Sequence, residues 1–431
     1  MGRTTRDLLE SPDAVAGLPK ADSDYPPRIA SLCERHASRC GADTAAHIVS
    51  APGRTEMAGN HTDHNHGRVL CSAVGLDTLG VITERSDPLI RIDSEGYDGL
   101  IEVDVSDLEP HDDERGLPQA LVRGVAAAFS DASRPVTGFD ATVSSEVAPG
   151  SGLSSSASFE VFLGTVLTGL GAPENDRSSK LSAHDVLFIA TAGKSAENRY
   201  FGKPCGLMDQ LACAHGGIIS IDFSSEPPTI TPADFDFSTA GYAPAVIDTG
   251  GSHADLTDDY ASVPAEMKSV AAELGGTHLG SCSKDALLER MPEIRRRCGD
   301  RAVLRALHFF EENARVAAMI GALEAGEAEQ FLALANESGD SSAILLQNYY
   351  STKLPAEQGI TLGVELARSF FQAHGVSGAA RVHGGGFAGT VQVYVPLGLW
   401  KEFVEVCERV FGAGAVTRLR LRPEGPRFVT P

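Results

Sequence analysis

The stretch Ala148-Pro149-Gly150-Ser151-Gly152-Leu153-Ser154-Ser155-Ser156-Ala157-Ser158 separates a strand-like run over residues 139–147 from a helix-like run over residues 157–170. Its two glycines permit positive φ angles and a close approach of the backbone. Its three consecutive serines fall where the first helical turn leaves N–H groups without intrahelical partners. These donors, the hydroxyls and the helix dipole favour an anion. A serine-capped turn is the alternative, but a cap needs only one serine, so the stretch predicts a phosphate-binding loop.

Composition narrows the class of protein. The chain has 431 residues, with 58 acidic against 36 basic residues and a formal net charge of −22. Nucleic acids are recognised through basic patches, so this balance argues against them as partners. The length is sufficient for two domains. We expect an N-terminal extension over residues 1–44 with a docking helix near residues 28–39, a nucleotide- and sugar-binding domain over 45–238, and a C-terminal domain over 239–431.

Cysteine usage and hydropathy indicate the compartment. Eight cysteines are scattered along the chain without a C-x-x-C pair, which is typical of reduced thiols. The N-terminus does not resemble a signal peptide, and the longest apolar run, over residues 161–172, is too short to span a bilayer. We therefore expect a cytoplasmic protein without a membrane partner, whose oligomeric state the sequence leaves open.

A second informative segment covers residues 52–67, Pro-Gly-Arg-Thr-Glu-Met-Ala-Gly-Asn-His-Thr-Asp-His-Asn-His-Gly. It follows a short strand predicted over residues 47–51 and precedes two strands predicted over residues 69–74 and 80–83. A loop dense in polar groups on a rigid base is a candidate binding site, and its donors and acceptors suit a hydroxyl-rich substrate. His61, Asp63, His64 and His66 could instead form a metal cluster, although their spacing fits no common zinc pattern. A plain solvated loop is the third alternative.

Three further residues have both a structural and a functional interpretation. Glu197 lies near the end of a helix predicted over residues 184–200, where it could simply be solvated. Asp209 lies in the first turn of the next predicted helix, where a carboxylate complements the helix dipole. Tyr260 lies on a helix predicted over residues 255–274, where it could be a packing residue.

The late glycine-rich segment is not a dinucleotide fingerprint. Gly384, Gly386 and Gly389 match G-x-G-x-x-G, but that fingerprint must open a helix. Here an alternating strand follows over residues 390–395, so we predict a hairpin whose backbone closely approaches another element. Two glycine loops together with several carboxylates indicate nucleotide-dependent phosphoryl transfer.

These segments resemble the motifs of a known family. In chain order, residues 52–67, 149–157 and 384–389 are similar to three motifs of the GHMP small-molecule kinases. Residues 52–67 resemble the galactokinase pattern G-R-x-N-x-x-G-E-H-T-D-x-N, and Cys205-Gly206-Leu207-Met208-Asp209-Gln210 resembles its C-G-x-M-D-Q. The resemblance spans about residues 45–422. It implies an α+β fold with a ribosomal-protein-S5-like N-terminal domain, a ferredoxin-like C-terminal domain and an active site between them.

The resemblance also implies an activity, cofactors and site residues. The activity is transfer of the ATP γ-phosphate to the C1 hydroxyl of galactose, with Mg²⁺. Asp209 is similar to the catalytic aspartate and Arg54 to the arginine that pairs with it. Sugar contacts are implied at Asn60, His61, Thr62, Asp63, Gly206 and Tyr260. Nucleotide contacts are implied at Gly150, Ser151, Gly152, Leu153, Ser154, Ser155 and Ser156, and magnesium ligands at Ser156 and Glu197.

Three positions depart from the family pattern. Glu56 and Asn60 stand where the pattern has asparagine and then glutamate, Pro118 stands where some members have tryptophan, and Ala388 replaces a glycine. The first departure leaves open a kinase for another sugar, such as a uronic acid, arabinose or an amino sugar. A non-catalytic sugar sensor is the remaining alternative, but it would not need both Arg54 and Asp209.

Overall fold

Two β-sheets organise the fold of this computed structural model, which describes residues 3–10, 17–19, 24–148, 150–251 and 256–430. The strands of the larger sheet are β1 (His47–Ala58), β2 (Arg68–Glu84), β3 (Leu89–Ser94), β4 (Ile101–Asp104), β5 (Phe139–Ser145), β6 (Ile218–Asp222), β7 (Thr229–Ala233) and β12 (Arg427–Val429). The smaller sheet comprises β8 (Tyr242–Asp248), β9 (Ala379–Val382), β10 (Thr390–Pro396) and β11 (Val416–Arg418).

Twelve α-helices are present in the described ranges. They are α1 (Thr5–Glu10), α2 (Tyr25–Cys40), α3 (Pro118–Asp131), α4 (Ser155–Gly171), α5 (Ala183–Ser195), α6 (Met208–His215), α7 (Thr257–Glu273), α8 (Lys284–Cys298), α9 (Asp300–Glu324), α10 (Ala328–Ser341), α11 (Gly359–His374) and α12 (Trp400–Phe411). None of these helices is both long and apolar enough to cross a membrane.

The larger sheet is covered on both faces. Its order is β12-β1-β2-β5-β3-β4, and β6 and β7 extend from the first half of the long strand β2. Successive side chains of a strand point to opposite faces. Val49 and Ile82 accordingly join the core formed with α3, α4, α5 and α6, whereas their neighbours Ile48 and Val81 pack against α2. The helix predicted over residues 28–39 is thus present as α2 and docks on the sheet.

The smaller sheet confirms the ferredoxin-like prediction. Its strands are all antiparallel in the order β11-β8-β10-β9. Together with α11 and α12, which share its core, they follow the chain order β-α-β-β-α-β of that fold. Helices α7 to α10 are inserted between β8 and α11. The hairpin predicted at the late glycine segment is also confirmed, since β9 and β10 pair on either side of it.

The end of the chain returns to the larger sheet. Strand β12 pairs antiparallel with β1, with Val429 opposite Ile48. Helices α9 and α10 also pack beneath this sheet, where Val316 and Phe331 join a core with Met57 and Leu70. The sheets therefore do not divide cleanly at one position of the sequence, and the domain boundaries proposed above remain predictions.

Most predicted elements lie within a few residues of the observed ones, but two strands are longer than predicted. The strand predicted over residues 47–51 continues to Ala58 through a bulge between Pro52 and Arg54, since a bulge lets a strand continue past an irregular pair. The two strands predicted over 69–74 and 80–83 are one strand, β2, because β6 pairs with its first part and β5 with its second.

Two helices also differ. Helix α8, which contains Pro292, was not predicted. The helix predicted over residues 255–274 begins at a position outside the described residues, and α7 as described starts at Thr257.

The buried carboxylate of Asp77 connects helix α2, the larger sheet and the C-terminal segment. Asp77 on β2 is 0% exposed. It accepts hydrogen bonds from the Tyr25 hydroxyl at 2.7 Å and from Arg28 Nη1 at 2.8 Å, both on α2. Arg422 Nη1, also fully buried, lies 3.4 Å from the same carboxylate. Ser50 on β1 is a further donor. Four segments that are distant in sequence therefore converge on one buried charge.

Replacing this carboxylate should destabilise the protein strongly. We expect Asp77→Ala to lower the free energy of unfolding by about 3–5 kcal/mol, because it leaves the Arg422 guanidinium buried without its counter-charge. Urea denaturation followed by circular dichroism measures this change. Asp112→Ala is the control, since that side chain is fully exposed. Equal stabilities of the two variants would contradict the structural role of Asp77.

Candidate active site

The predicted phosphate loop is a turn that packs closely against the start of β10. Gly150, Gly152 and Ser154 have φ angles of 78°, 73° and 60°, a region that favours glycine. A Cβ atom on Gly152 would lie 2.7 Å from both His383 Nδ1 and Thr390 Oγ1. Only glycine therefore lets the loop approach β10 this closely. Apart from Leu153, residues 150–156 reach the surface.

The serines of the loop do not cap the helix. Ser154, the residue that precedes α4, makes no capping hydrogen bond in the described structure. Its hydroxyl instead donates to Asp209 Oδ2 at 2.6 Å, and the Ser156 hydroxyl donates to Glu197 Oε1 at 2.9 Å. By contrast, Ser182 caps α5 in the usual way. The N–H groups of the first turn of α4 thus remain available to an anion.

Arg54 and Asp209 form an ion pair directly below the loop. Arg54 Nε donates to Asp209 Oδ1 at 2.8 Å, and the Asp209 side chain is 32% exposed whereas that of Arg54 is 7% exposed. Arg54 also donates to the carbonyl of Gly152. Burial raises the pKa of Asp209, but the Arg54 charge and the hydrogen bonds from Arg54 and Ser154 outweigh it, so the pKa lies below its usual value. Asp209 is therefore an accessible, ionised carboxylate.

Glu197 is placed by an irregular helical turn. Helix α5 ends at Ser195 and the chain continues as a π-helical turn, Ala196–Phe201, a rare geometry that is frequent at functional sites. The backbone N–H groups of Gly202 and Lys203 both donate to the Glu197 carbonyl at 3.0 Å. The carboxylate accepts from Ser156 on one oxygen and from Gln210 Nε2, at 3.1 Å, on the other. It therefore faces the phosphate loop.

A second carboxyl group lies behind Glu197. Gln210 Nε2 also donates to Glu160 Oε2 at 2.9 Å, and Glu160 is fully buried. Burial raises the pKa of Glu160 well above its usual value, and the Glu197 charge raises it further. Glu160 and Lys203 were not predicted as site residues, and Gln210 was given no role. The spacing of Glu160 from Ser156 was an available signal, because side chains four residues apart lie on one face of a helix.

Four of the predicted sugar contacts lie between the two sheets. His61 Nε2 lies 2.9 Å from the Gly385 carbonyl of the late glycine turn. The Tyr260 hydroxyl donates to the Gly386 carbonyl at 2.9 Å. Asp63 lies against Gly206 so closely that a Cβ atom there would come within 1.9 Å of Asp63 Oδ2. The structure thus brings three segments together. They are the first motif, Gly206 shortly before Met208 and Asp209, and the late glycine turn.

Asn60 and Thr62, the other two predicted sugar contacts, are not exposed at this site. Both are 0% exposed. The Asn60 amide donates to Glu56 Oε1 at 3.0 Å and to the Gly384 carbonyl at 2.5 Å, and its oxygen accepts from Asn348 at 2.6 Å. The Thr62 hydroxyl hydrogen-bonds to backbone carbonyls of its own turn. Their direct contact with a sugar stays a prediction, and in this structure protein groups already use these polar atoms.

The histidines of the first motif do not converge on one point. The His66 ring stacks on His278 with the ring centres 3.8 Å apart, whereas His61 points toward the glycine turn. Within the described residues, no three histidine, cysteine or acidic side chains are placed to hold one metal ion. The first motif therefore does not form the metal cluster considered as an alternative.

The donor set at the loop suits a magnesium–nucleotide complex. Ser156 Oγ and Glu197 Oε1 are hard oxygen donors only 2.9 Å apart, and Mg²⁺ is bound in proteins by one or two such groups plus phosphate oxygens. The backbone at Gly152 leaves no space for a side chain, while the helix N-terminus and the exposed loop accept anions. These residues therefore fit both a divalent cation and a phosphate chain.

The buried Glu160 predicts a pH-dependent difference in stability. Because the pKa of Glu160 is raised in the folded protein, its protonated side chain contributes to stability at low pH. This contribution to stability is lost as the pH rises through the folded-state pKa. We therefore expect Glu160→Gln to gain stability relative to the wild type between about pH 5 and about pH 8. Urea denaturation at both pH values measures the difference. The exposed Glu337→Gln is the control, and parallel curves for wild type and Glu160→Gln would contradict the assignment.

Comparisons with known proteins agree with this geometry. The profile of the galactokinase galactose-binding signature matches residues 34–84, and that of the N-terminal domain of GHMP kinases matches residues 120–217. A galactokinase of Actinobacillus pleuropneumoniae is 32% identical over 84% of this chain and 88% of its own length. A galactokinase of Streptomyces coelicolor is 30% identical over 90% of this chain and 94% of its own.

Solved structures share the fold. A galactokinase of Lactococcus lactis in complex with galactose superimposes with a TM-score of 0.75 at 24% identity, over 94% of this chain and all of that one. A mevalonate kinase superimposes with a TM-score of 0.60 at 16% identity, over 88% of this chain and 99% of that one. The two-sheet α+β architecture is thus that of the GHMP kinases.

Proposed function

This chain belongs to the galactokinase family of the GHMP kinases, and we propose that it transfers the γ-phosphate of ATP to the C1 hydroxyl of galactose. Family membership rests on the relatives that are at least 30% identical over most of both chains. The roles of individual residues are proposals, which rest on the geometry of the cleft.

The observation that carries the proposal is the position of Asp209. Its two carboxylate oxygens are divided between Arg54 at 2.8 Å and the loop serine Ser154 at 2.6 Å. One side of the carboxylate therefore meets the loop that suits phosphates, while the group remains partly open to solvent. A hydroxyl placed beside Asp209 would lie next to the phosphate chain, as an in-line transfer requires.

Asp209 acts mainly by positioning the acceptor hydroxyl. Its lowered pKa makes it a weak base, and a loose transition state does not require early removal of the proton. The carboxylate accepts a hydrogen bond from the C1 hydroxyl and takes its proton as the new O–P bond forms. Arg54 keeps the carboxylate ionised and oriented, and its positive charge stabilises the phosphoryl group in transfer.

The phosphate chain is bound by the loop over residues 150–156 and the N-terminus of α4. Ser156 and Glu197 hold Mg²⁺, which when bound neutralises charge on the phosphate oxygens. Ser154 has a linking role, because it belongs to the loop and hydrogen-bonds to Asp209. The protein's part in the reaction is thus alignment and charge compensation.

The sugar is held by His61, Asp63, Gly206 and Tyr260. Asp63 and His61 offer hydrogen-bonding groups, and Gly206 leaves space for the Asp63 carboxylate. Glu56 stands where the family pattern has asparagine, and its Oε1 accepts hydrogen bonds from Arg381 Nη2 and from the Asn60 amide, both at 3.0 Å. No nucleic acid partner is proposed. We infer that the enzyme acts in the cytoplasm, where ATP is available and its thiols stay reduced.

The activity can be tested with a panel of sugars. We expect purified protein to release ADP from MgATP with galactose well above the rate without sugar, in a coupled assay. Galacturonate, arabinose, galactosamine and glucose form the rest of the panel, because the exchange of Glu56 and Asn60 concerns sugar selectivity. A rate with galactose no higher than the blank would refute the proposal, and a faster sugar would replace galactose as the substrate.

Asp209→Asn is the control for the chemistry in that assay. It should lower kcat about 10²–10⁴-fold, since the base and the orienting charge are both lost. Galactose binding, measured by calorimetry, should remain detectable because His61 and Asp63 are intact. Asp112→Asn, at a fully exposed position, should be fully active.

A single added methyl group should impair sugar use. Gly206→Ala places its Cβ where the Asp63 carboxylate now lies, and we expect kcat/KM for galactose to fall about 10²-fold. The KM for ATP should change little, because the phosphate loop is untouched. Gly321→Ala is the matched control, since a Cβ there meets open space. An unchanged kcat/KM in Gly206→Ala would show that Asp63 does not contact the sugar.

A further inference from the structure

Lys203 occupies the approach to the proposed magnesium site. Its Nζ lies 2.9 Å from Glu197 Oε1, the same oxygen that accepts the Ser156 hydroxyl. Glu197 is almost buried, with 3% of its side chain exposed, whereas 60% of the Lys203 side chain is exposed. The ammonium group therefore reaches the carboxylate from the solvent side, at the oxygen that also accepts the Ser156 hydroxyl.

The backbone fixes where this lysine begins. Its N–H donates to the Glu197 carbonyl at 3.0 Å, so Lys203 directly follows the π-helical turn that positions Glu197. Four flexible methylene groups then carry the charge. The backbone of Lys203 is thus fixed beside Glu197, whereas its long side chain lets the ammonium group take more than one position.

The charge of Lys203 acts on the whole cluster. A lysine is ordinarily protonated at neutral pH, and the Lys203 ammonium lies 2.9 Å from Glu197 Oε1. The same charge contributes to the lowered pKa of Asp209. The site therefore contains two carboxylates, Asp209 and Glu197, balanced by Arg54 and Lys203. In the absence of a ligand, each of these two carboxylates therefore has a counter-charge.

Mg²⁺ and the ammonium group compete for the same oxygen, Glu197 Oε1. Magnesium binds its oxygen ligands at about 2.0–2.1 Å in a strict octahedral geometry, and a second cation on that oxygen repels it. Binding of a cation by Ser156 and Glu197 therefore favours release of Lys203 Nζ. The displaced ammonium remains tethered at the mouth of the site, next to the loop proposed to bind phosphates.

We propose that Lys203 is an exchangeable counter-ion that pairs with Glu197 in the empty site and with the phosphate chain once Mg²⁺ has taken Glu197. This role rests on the proposed function and adds to it a residue that belongs to none of the motifs. The lysine lowers the affinity of the empty site for free metal and raises its affinity for the nucleotide. Metal and nucleotide are thereby favoured together over metal alone.

The test compares Lys203→Met with the wild type in two binding measurements that need no turnover. Mn²⁺ binding to nucleotide-free protein, followed by electron paramagnetic resonance, should become about three- to tenfold tighter, because the competing ammonium is gone. ADP binding in EDTA, followed by calorimetry, should weaken by a similar factor, about three- to tenfold, because a phosphate contact is lost. Lys203→Arg should retain the wild-type nucleotide affinity.

Lys284→Met is the matched control, since Lys284 also pairs with a glutamate at 2.9 Å but lies on α8, outside the site. Equal Mn²⁺ affinity in Lys203→Met and wild type, including no detectable binding in either, would overturn the proposal. Weaker Mn²⁺ binding would do the same, because it would make Lys203 a mere support for Glu197. Both measurements are independent of the sugar, so a failure of the galactose assay is distinguishable from a failure here.

Discussion

The site depends on one shared carboxylate. Asp209 accepts hydrogen bonds from Arg54 on β1 and Ser154 on the loop before α4, and it belongs itself to the first turn of α6. Three elements far apart in sequence therefore meet at one side chain. Because each donor comes from a different element, the carboxylate also sets the distance between the loop and the strand. Phosphoryl transfer depends on such alignment more than on covalent chemistry.

Charge compensation extends outward from this point. The ionised pair Arg54 and Asp209 is followed by Lys203 and Glu197, and behind them Glu160 has a pKa raised by burial and by Glu197. A neutral group in the deepest position avoids the cost of burying a further unpaired charge. The cluster thus changes from neutral in the interior to charged at the solvent side, where the proposed nucleotide substrate is also charged.

Much of this arrangement could be predicted from the sequence, because most of the site residues lie within the sequence motifs themselves. The glycine–serine loop, the position of Asp209 in a first helical turn and the late hairpin all follow from local patterns. The surroundings of Asn60 could not be predicted, because its partners, Glu56, Gly384 and Asn348, are brought together only by the tertiary fold. Lys203 was missed because it has no local signature, whereas Glu160 lies four residues after Ser156 on the same helix, a local signal that was not recognised.

The return of the C-terminal segment to the larger sheet has a consequence for biosynthesis. Strand β12 and Arg422 leave the ribosome long after β1 and Asp77, which need them as partners, since Arg422 lies 345 residues beyond Asp77. Until then β1 presents an unpaired edge, which is a template for pairing with other chains. The strand that carries Arg54 therefore depends on a distant part of the chain, and a nascent chain that lacks β12 leaves this edge exposed.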